Sequence, residues 1–300
     1  MITKYINDVA YHLREDQDFS WLENKGTAFS CIDQTGSGCI CFGIEKDGQR
    51  YFYKIAGAKT TGAEISQEES IQLLKEATRI YKEIKHPHLI SLVEDYEIDE
   101  FYVAVYKWAD GECLFDHWNF DLYKKNPRLI RPIDVFKQLP NEKKLAVVDI
   151  LFDFMHTVHE ANYLAVDFYD SSLMYDFRKD VLTICDIDLF RHKPTYNDLG
   201  KDYFGTKRLK APEENELGAI IDEKTNIFTL GAIICDLLSD VRNNKDRYEK
   251  GHFIINSRED YTLNDESYNV LKKATSFERS ERFESVEEFK HAWEKSLICL

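Results

Sequence analysis

The chain is short of positive charge and has no cysteine pattern that could staple it. Lysine and arginine total 39 against 54 aspartates and glutamates in 300 residues, a formal net charge of −15. A generally basic surface for a nucleic-acid backbone is therefore absent, and an anionic membrane surface would repel the chain on average. Neither nucleic acid nor membrane is expected as a partner. A local basic cluster stands out only around Lys207, Arg208 and Lys210. The seven cysteines, Cys31, Cys39, Cys41, Cys113, Cys185, Cys235 and Cys299, form no C-x-x-C pair. Their odd number in a long chain argues against a disulfide framework and for reduced thiols in the cytoplasm. Residues 1–16 alternate polar and apolar, with no uninterrupted apolar core of a signal peptide, so none is expected. The longest apolar run, Ile227 to Leu238, falls far short of the roughly 20 residues that span a bilayer. Internal repeats, low-complexity tracts and a G-x-x-x-x-G-K-[ST] phosphate loop are all missing, which leaves a P-loop enzyme unsupported. His156 and His159 stand one helical turn apart, but no further Cys or His cluster joins them, so they read as packing or surface.

Against these absences, 43% of residues are hydrophobic and 13% aromatic, enough for a sizeable core. The first half reads as strands around one helix and the second mainly as helices, which suggests a small sheet lobe followed by a larger helical one. Residues 39–44 and 50–56 look like strands joined at Asp47-Gly48, a strong hairpin signal. Ser66 and Glu69 form a capping box that opens a helix carrying Ile71, Leu74, Ala77, Tyr81 and Ile84 on one stripe, ended by His86-Pro87. Strands follow near 90–97 and 101–107. Residues 115–140, with Pro127, Pro132 and Pro140, read as an irregular connection with a short helix. Helical periodicity returns over 141–159, 223–239 and 284–297, the last opened by Ser285 and Glu288.

Several motifs lie in one order along the chain. Lys54 closes the strand segment Tyr51-Phe52-Tyr53-Lys54, and Glu76 sits in the helix that follows. Tyr106-Lys107-Trp108-Ala109-Asp110-Gly111 comes next, then Ala165-Val166-Asp167-Phe168-Tyr169-Asp170-Ser171-Ser172. Asp186-Ile187-Asp188 follows an apolar run. Gly205-Thr206-Lys207-Arg208-Leu209-Lys210-Ala211-Pro212-Glu213, Thr225-Asn226-Ile227-Phe228-Thr229-Leu230-Gly231 and Ser280-Glu281-Arg282-Phe283 complete the set. From about residue 30 to the end this order resembles the protein kinases, and among them the eukaryotic-like serine/threonine kinases of Gram-positive bacteria.

The resemblance implies an α+β, two-lobed protein-kinase-like fold: an N-terminal extension over 1–28, a sheet lobe over 29–107 and a helical lobe over 108–300. It implies ATP and magnesium as cofactors. Lys54 would hold the nucleotide phosphates, with Glu76 as its ion-pair partner and Glu69 and Glu83 as rivals for that place. Gly38 would be the one matching glycine of a degenerate glycine loop, with Gly36 an extra beside it and both counted as nucleotide-binding; Asp33 is unfavourable there beside phosphate unless it points away. Lys107 and Trp108 would meet adenine through the backbone, behind a bulky Tyr106. Asp167 would orient the substrate hydroxyl and accept its proton. Asp186 would bind magnesium, with Asp188 standing in for the metal-binding asparagine that is Ser172 here. Val166 replaces the arginine that pairs with a phosphorylated loop, so loop phosphorylation is not expected as the on-switch. Tyr169 replaces the loop lysine, and Asn226 replaces an anchoring aspartate. Arg282 should pair bidentately with Glu213. The function so implied is phosphotransfer to a hydroxyl of a protein substrate. The degenerate loops support a second reading, a pseudokinase serving as a nucleotide-binding or scaffold module for a protein partner. Asp186-Ile187-Asp188 mildly favours a third, a small-molecule kinase.

Overall fold

The computed structural model describes residues 1–240 and 245–298. These form two compact units, residues 1–85 with 89–109 and residues 86–88 with 110 onward. The architecture is α+β, an antiparallel sheet unit with one long helix and a mainly helical unit.

The sheet unit opens with a hairpin of β1 (Ile2–Ile6) and β2 (Val9–Leu13). It continues through β3 (Thr27–Ile32), β4 (Cys39–Lys46), β5 (Gln49–Ala56), α1 (Gln67–Glu83), β6 (Leu92–Ile98) and β7 (Phe101–Lys107). Strands β3 to β7 make one antiparallel sheet in the order β3-β4-β5-β7-β6. The β4–β5 turn has Asp47 and Gly48 both at positive φ (52° and 74°), the geometry a two-residue hairpin of this twist requires. The capping box closes as expected, with Ser66 Oγ accepting from the Glu69 amide (3.2 Å) and Glu69 Oε2 from the Ser66 amide (2.9 Å).

The two faces of this sheet are covered differently. Residues 1–28, expected as an extension, pack Ile6, Tyr11, Leu13, Phe19 and Leu22 into one core with Phe42, Tyr53, Ile55 and Val103. Phe19 lies 4.7 Å from the Phe101 ring, centroid to centroid. The other face takes α1, whose Tyr81 meets the Tyr106 ring at 5.0 Å and whose Thr78 bonds the Tyr102 hydroxyl at 3.0 Å.

The helical unit contains β8 (Glu112–Cys113), α2 (Phe120–Lys125), α3 (Pro132–Lys137), α4 (Asn141–Glu160), β9 (Tyr163–Leu164), β10 (Leu173–Asp176) and β11 (Val181–Ile184). Then come β12 (Arg191–His192), β13 (Thr195–Tyr196), β14 (Ile220–Ile221), α5 (Glu223–Leu238), α6 (Lys245–Lys250), α7 (Asp265–Ala274) and α8 (Val286–Leu297). Residues 115–140 thus hold two short helices where one was expected. Helix α5 is the axis of this unit. It is apolar on nearly all sides, and it packs against α3, α4, α7 and α8, as a fully buried helix must. Among the described residues no helix is long and apolar enough to cross a membrane. Cys31, Cys39, Cys41, Cys113, Cys185 and Cys235 are joined in no disulfide among the described residues, and Cys299 lies outside them.

Candidate functional site

The expected site residues fall in both units, and each set is built by its own unit. In the sheet unit, strand alternation sends Tyr53 and Ile55 into the core shared with residues 1–28 and Lys54 to the opposite face. Lys54 pairs in register with Ala104, whose neighbours two residues away, Tyr102 and Tyr106, touch α1. Lys54 therefore stands half-buried on the α1 face of a central strand. Glu76 does not meet it there. The stripe that faces the sheet is Leu74, Ala77, Thr78 and Tyr81, which turns Glu76 to the exposed side, where it accepts an amide hydrogen from Gln72 at 2.7 Å.

The glycine segment is a short turn before β4. Gly38 is required: its φ is +65°, and a Cβ there would sit 3.1 Å from the Ser70 side chain. Gly36 is exposed and has no such constraint. Asp33 is held by His12, accepting from its amide at 2.7 Å and contacting its ring Nδ1 at 2.8 Å. At the end of β7 the Lys107 amide donates to Ser91 O (2.9 Å) and the Trp108 amide to Arg50 O (3.0 Å), so both N–H groups are committed within the unit. The Trp108 ring packs on Phe29, 4.8 Å between centroids.

In the helical unit, the β10–β11 hairpin is the frame. Leu173 pairs with Ile184, and the Cys185 amide donates to Ser172 O at 2.8 Å. This register sets Ser172 beside Cys185 and Asp186 at one end of the hairpin. Asp167 and Asp186 are both held at positive φ (63° and 54°), a conformation that aspartate tolerates better than most side chains. Each is followed by a buried apolar anchor, Phe168 and Ile187, which fixes the backbone beside it. The Asn226 side-chain oxygen accepts from the Ala165 amide (3.0 Å) and ties the loop to α5. Among the described residues the Asn226 Nδ2 is buried without a partner, a donor that the aspartate of the resembled pattern would not leave.

The Asp167 carboxyl is strongly perturbed. Burial first, then the Asp186 charge and more weakly Asp188, push its carboxyl up to about 7, while Lys210 and the Gly205 amide pull it down. Three acids thus share one electrostatic environment with one buried lysine. Lys210 and Arg208, read from sequence as a basic surface cluster, are in fact 4% and 6% exposed. Their charges are satisfied inside: Lys210 donates to Tyr203 O, and Arg208 bonds Asp170 and Asp236.

Glu214, which sequence reasoning missed, joins this environment. Its side chain accepts from the Ala211 amide at 2.7 Å, and burial drives its carboxyl up to about 8 from 4.5. An acid whose folded value is raised adds stability that is full below its unfolded value and is lost as pH climbs toward the folded one. Between about pH 4.5 and 8, Glu214 should therefore erode stability by at most about 1.4 kcal/mol per unit. Urea unfolding at pH 5, 6.5 and 8 should show Glu214→Gln matching wild type at pH 5 and exceeding it at pH 8. Parallel pH curves for the two proteins would refute the assignment.

Ser172 is 1% exposed, and its hydroxyl is enclosed with no partner among the described residues. Asp186 is exposed and Asp188 half-buried. Among the described residues no group of three or more His, Cys, Asp or Glu side chains is arranged to hold a metal by itself. The Glu213–Arg282 pair is bidentate as expected, at 2.7 and 3.0 Å. Arg279 was not anticipated as a second partner, and it reaches the same Glu213 oxygen at 2.7 Å.

An antiparallel sheet unit with one long helix, followed by a helical unit whose hairpin gathers these acids, is a protein-kinase-like fold. Sequence comparison points the same way. The chain is similar to calcium-dependent protein kinase 5 of Plasmodium falciparum, 24% identical over 235 residues, covering 75% of this chain and 38% of that protein. To the protein of the same name from Plasmodium berghei it is 25% identical over 262 residues, covering 83% and 42%. To serine/threonine-protein kinase nekl-2 of Caenorhabditis elegans it is 21% identical over 179 residues, covering 60% and 47%. The chain spans less than half the length of each of these curated relatives. No family model matches it.

Proposed function

We propose that the chain is an ATP- and magnesium-dependent protein kinase of the cytoplasm, moving the terminal phosphate to a serine or threonine hydroxyl of a protein. The observation that carries this reading is the shared environment of Asp167, Asp186 and Asp188 at one end of a hairpin, in a chain similar to protein kinases. In it, Lys54 holds the nucleotide phosphates, and Gly38 lets the backbone approach them. With the Lys107 and Trp108 amides committed, adenine contacts in that segment fall to carbonyl oxygens and apolar surface.

The donors fit magnesium in kind. They are hard carboxylate oxygens, and this ion takes only one or two protein carboxylates, completing its shell with phosphate and water. Asp186 and Asp188 would hold it, while Ser172 fits less well because its enclosed hydroxyl would have to be uncovered first. Bound there, the ion supplies charge neutralisation at the phosphates. Asp167 orients the attacking hydroxyl and takes its proton. Val166 leaves no arginine for a phosphorylated loop, which suits an enzyme active without that modification.

The enclosed Ser172 hydroxyl and the solvent-facing Glu76 favour the second reading, a pseudokinase that binds nucleotide or scaffolds a partner. A thermal-shift titration addresses both readings. Mg-ATP at a hundred times its dissociation constant should raise the wild-type midpoint by about 5 °C, and Lys54→Ala should lose most of that shift. No shift in wild type, or an equal shift in the variant, would rule out the nucleotide site as drawn.

A further inference from the structure

Residues 9–17 meet the sheet unit at two places that frame its glycine turn. On one side His12 holds Asp33, the first residue after β3, through its amide (2.7 Å) and its ring Nδ1 (2.8 Å). On the other side the same segment bonds the loop over residues 57–60. The Arg14 amide donates to Lys59 O (2.7 Å), and Leu13 bridges Thr60. The buried Gln17 side chain accepts from the Lys59 amide (2.6 Å) and donates to Gly57 O (3.0 Å). The glycine turn rests on that loop, because the Ala58 amide donates to Gly38 O at 3.1 Å. The turn is thus tied to residues 9–17 directly at its start and through the loop at its end.

Sheet register relates this clamp to Lys54. Ile32, Cys41 and Lys54 are partners in one row across β3, β4 and β5. Two strand spacings put the Ile32 backbone about 10 Å from that of Lys54, and Asp33 is the next residue. Alternation assigns the faces. Cys31 packs on the core that residues 1–28 share, Ile32 is exposed on the Lys54 side, and Asp33 returns to the core side, where His12 meets it. The acid that is unfavourable beside phosphate is therefore held on the face opposite Lys54. Without the His12 ring, its one remaining partner among the described residues is the residue 12 amide.

We propose that His12 is a positioning residue of the nucleotide site, keeping the Asp33 carboxylate turned from the triphosphate that Lys54 holds. This rests on the nucleotide reading above and adds residues 9–17 to the apparatus that binds ATP. Calorimetric titration of Mg-ATP into the intact chain tests it. His12→Ala should weaken binding by about three- to tenfold, the effect of a carboxylate charge left about 10 Å from the phosphates. His12→Leu should do the same and serves if the alanine variant fails to fold. The loss should shrink at high salt, as a screened charge effect does. Asp33→Asn should bind at least as tightly as wild type, and in that background His12→Ala should cause no further loss, a coupling that a merely structural histidine would not give. A wild-type chain that does not bind Mg-ATP would overturn the nucleotide reading and this inference with it. Binding by wild type with an equal constant for His12→Ala, or a His12→Ala loss that persists beside Asp33→Asn, would overturn the inference alone.

Discussion

Arg282→Ala should destabilise the chain by about 3–5 kcal/mol, the usual effect of removing one member of a buried ion pair. The Arg282 side chain is 0% exposed and Glu213 is 4% exposed. Burial alone would raise the Glu213 carboxyl, but the Arg282 hydrogen bonds and charge outweigh it and hold the group below the usual carboxylate range. Deleting the guanidinium leaves that carboxylate enclosed, with Thr225 (2.8 Å) and Arg279 as remaining donors. Arg279 is more exposed and also serves Asp222, so Arg279→Ala should cost less. Replacing both members, Glu213→Leu with Arg282→Met, should recover much of the loss because no charge is then stranded. Chemical denaturation of the four proteins reads these differences directly. An Arg282→Ala midpoint equal to wild type would show that the pair does not hold the segment to the helical core.

Asp167→Ala should lower phosphotransfer by about 10²- to 10⁴-fold, the range of a positioned general base. The loss should fall on turnover and leave Mg-ATP affinity nearly unchanged if, as proposed, Asp167 serves the acceptor hydroxyl and not the nucleotide. Its carboxyl sits near 7 because of burial and the charge of Asp186. A cation held by Asp186 would offset part of that repulsion and so favour the ionised form of Asp167, against the larger effect of burial. Asp167→Asn should therefore be nearly as slow as the alanine variant, because it keeps the shape and lacks the base. If both variants turned over like wild type, Asp167 would have no catalytic role.

Much of this was legible in local pattern. Asp47-Gly48 demanded a primed turn, Ser66 and Glu69 announced a helix start, and Glu213 and Arg282 could be paired from motif order alone. What escaped was set by non-local packing. Residues 1–28 form two five-residue strands and a short helical turn whose apolar positions make sense only against Phe42 and Phe101 across the sheet. Arg208 and Lys210 looked like a basic surface because sequence shows charge but not the buried acids that meet it, Asp170 and Asp236 for the arginine and Glu214 and Asp167 beside the lysine. Distance along the chain points to Glu76, whereas the α1 stripe facing the sheet is fixed by the period of 3.6 and turns that residue outward. Of the candidate site, hairpin register and two left-handed aspartates could not be read from spacing, although both depend on residues the motifs had already singled out.

Transfer of label from the terminal phosphate of ATP to a protein hydroxyl by the purified chain is the most direct test of phosphotransfer. Labelled protein should accumulate with magnesium present, vanish when the metal is chelated, and fall to background in Asp186→Ala. A wild-type chain that binds Mg-ATP and transfers no label to any protein, itself included, would contradict it.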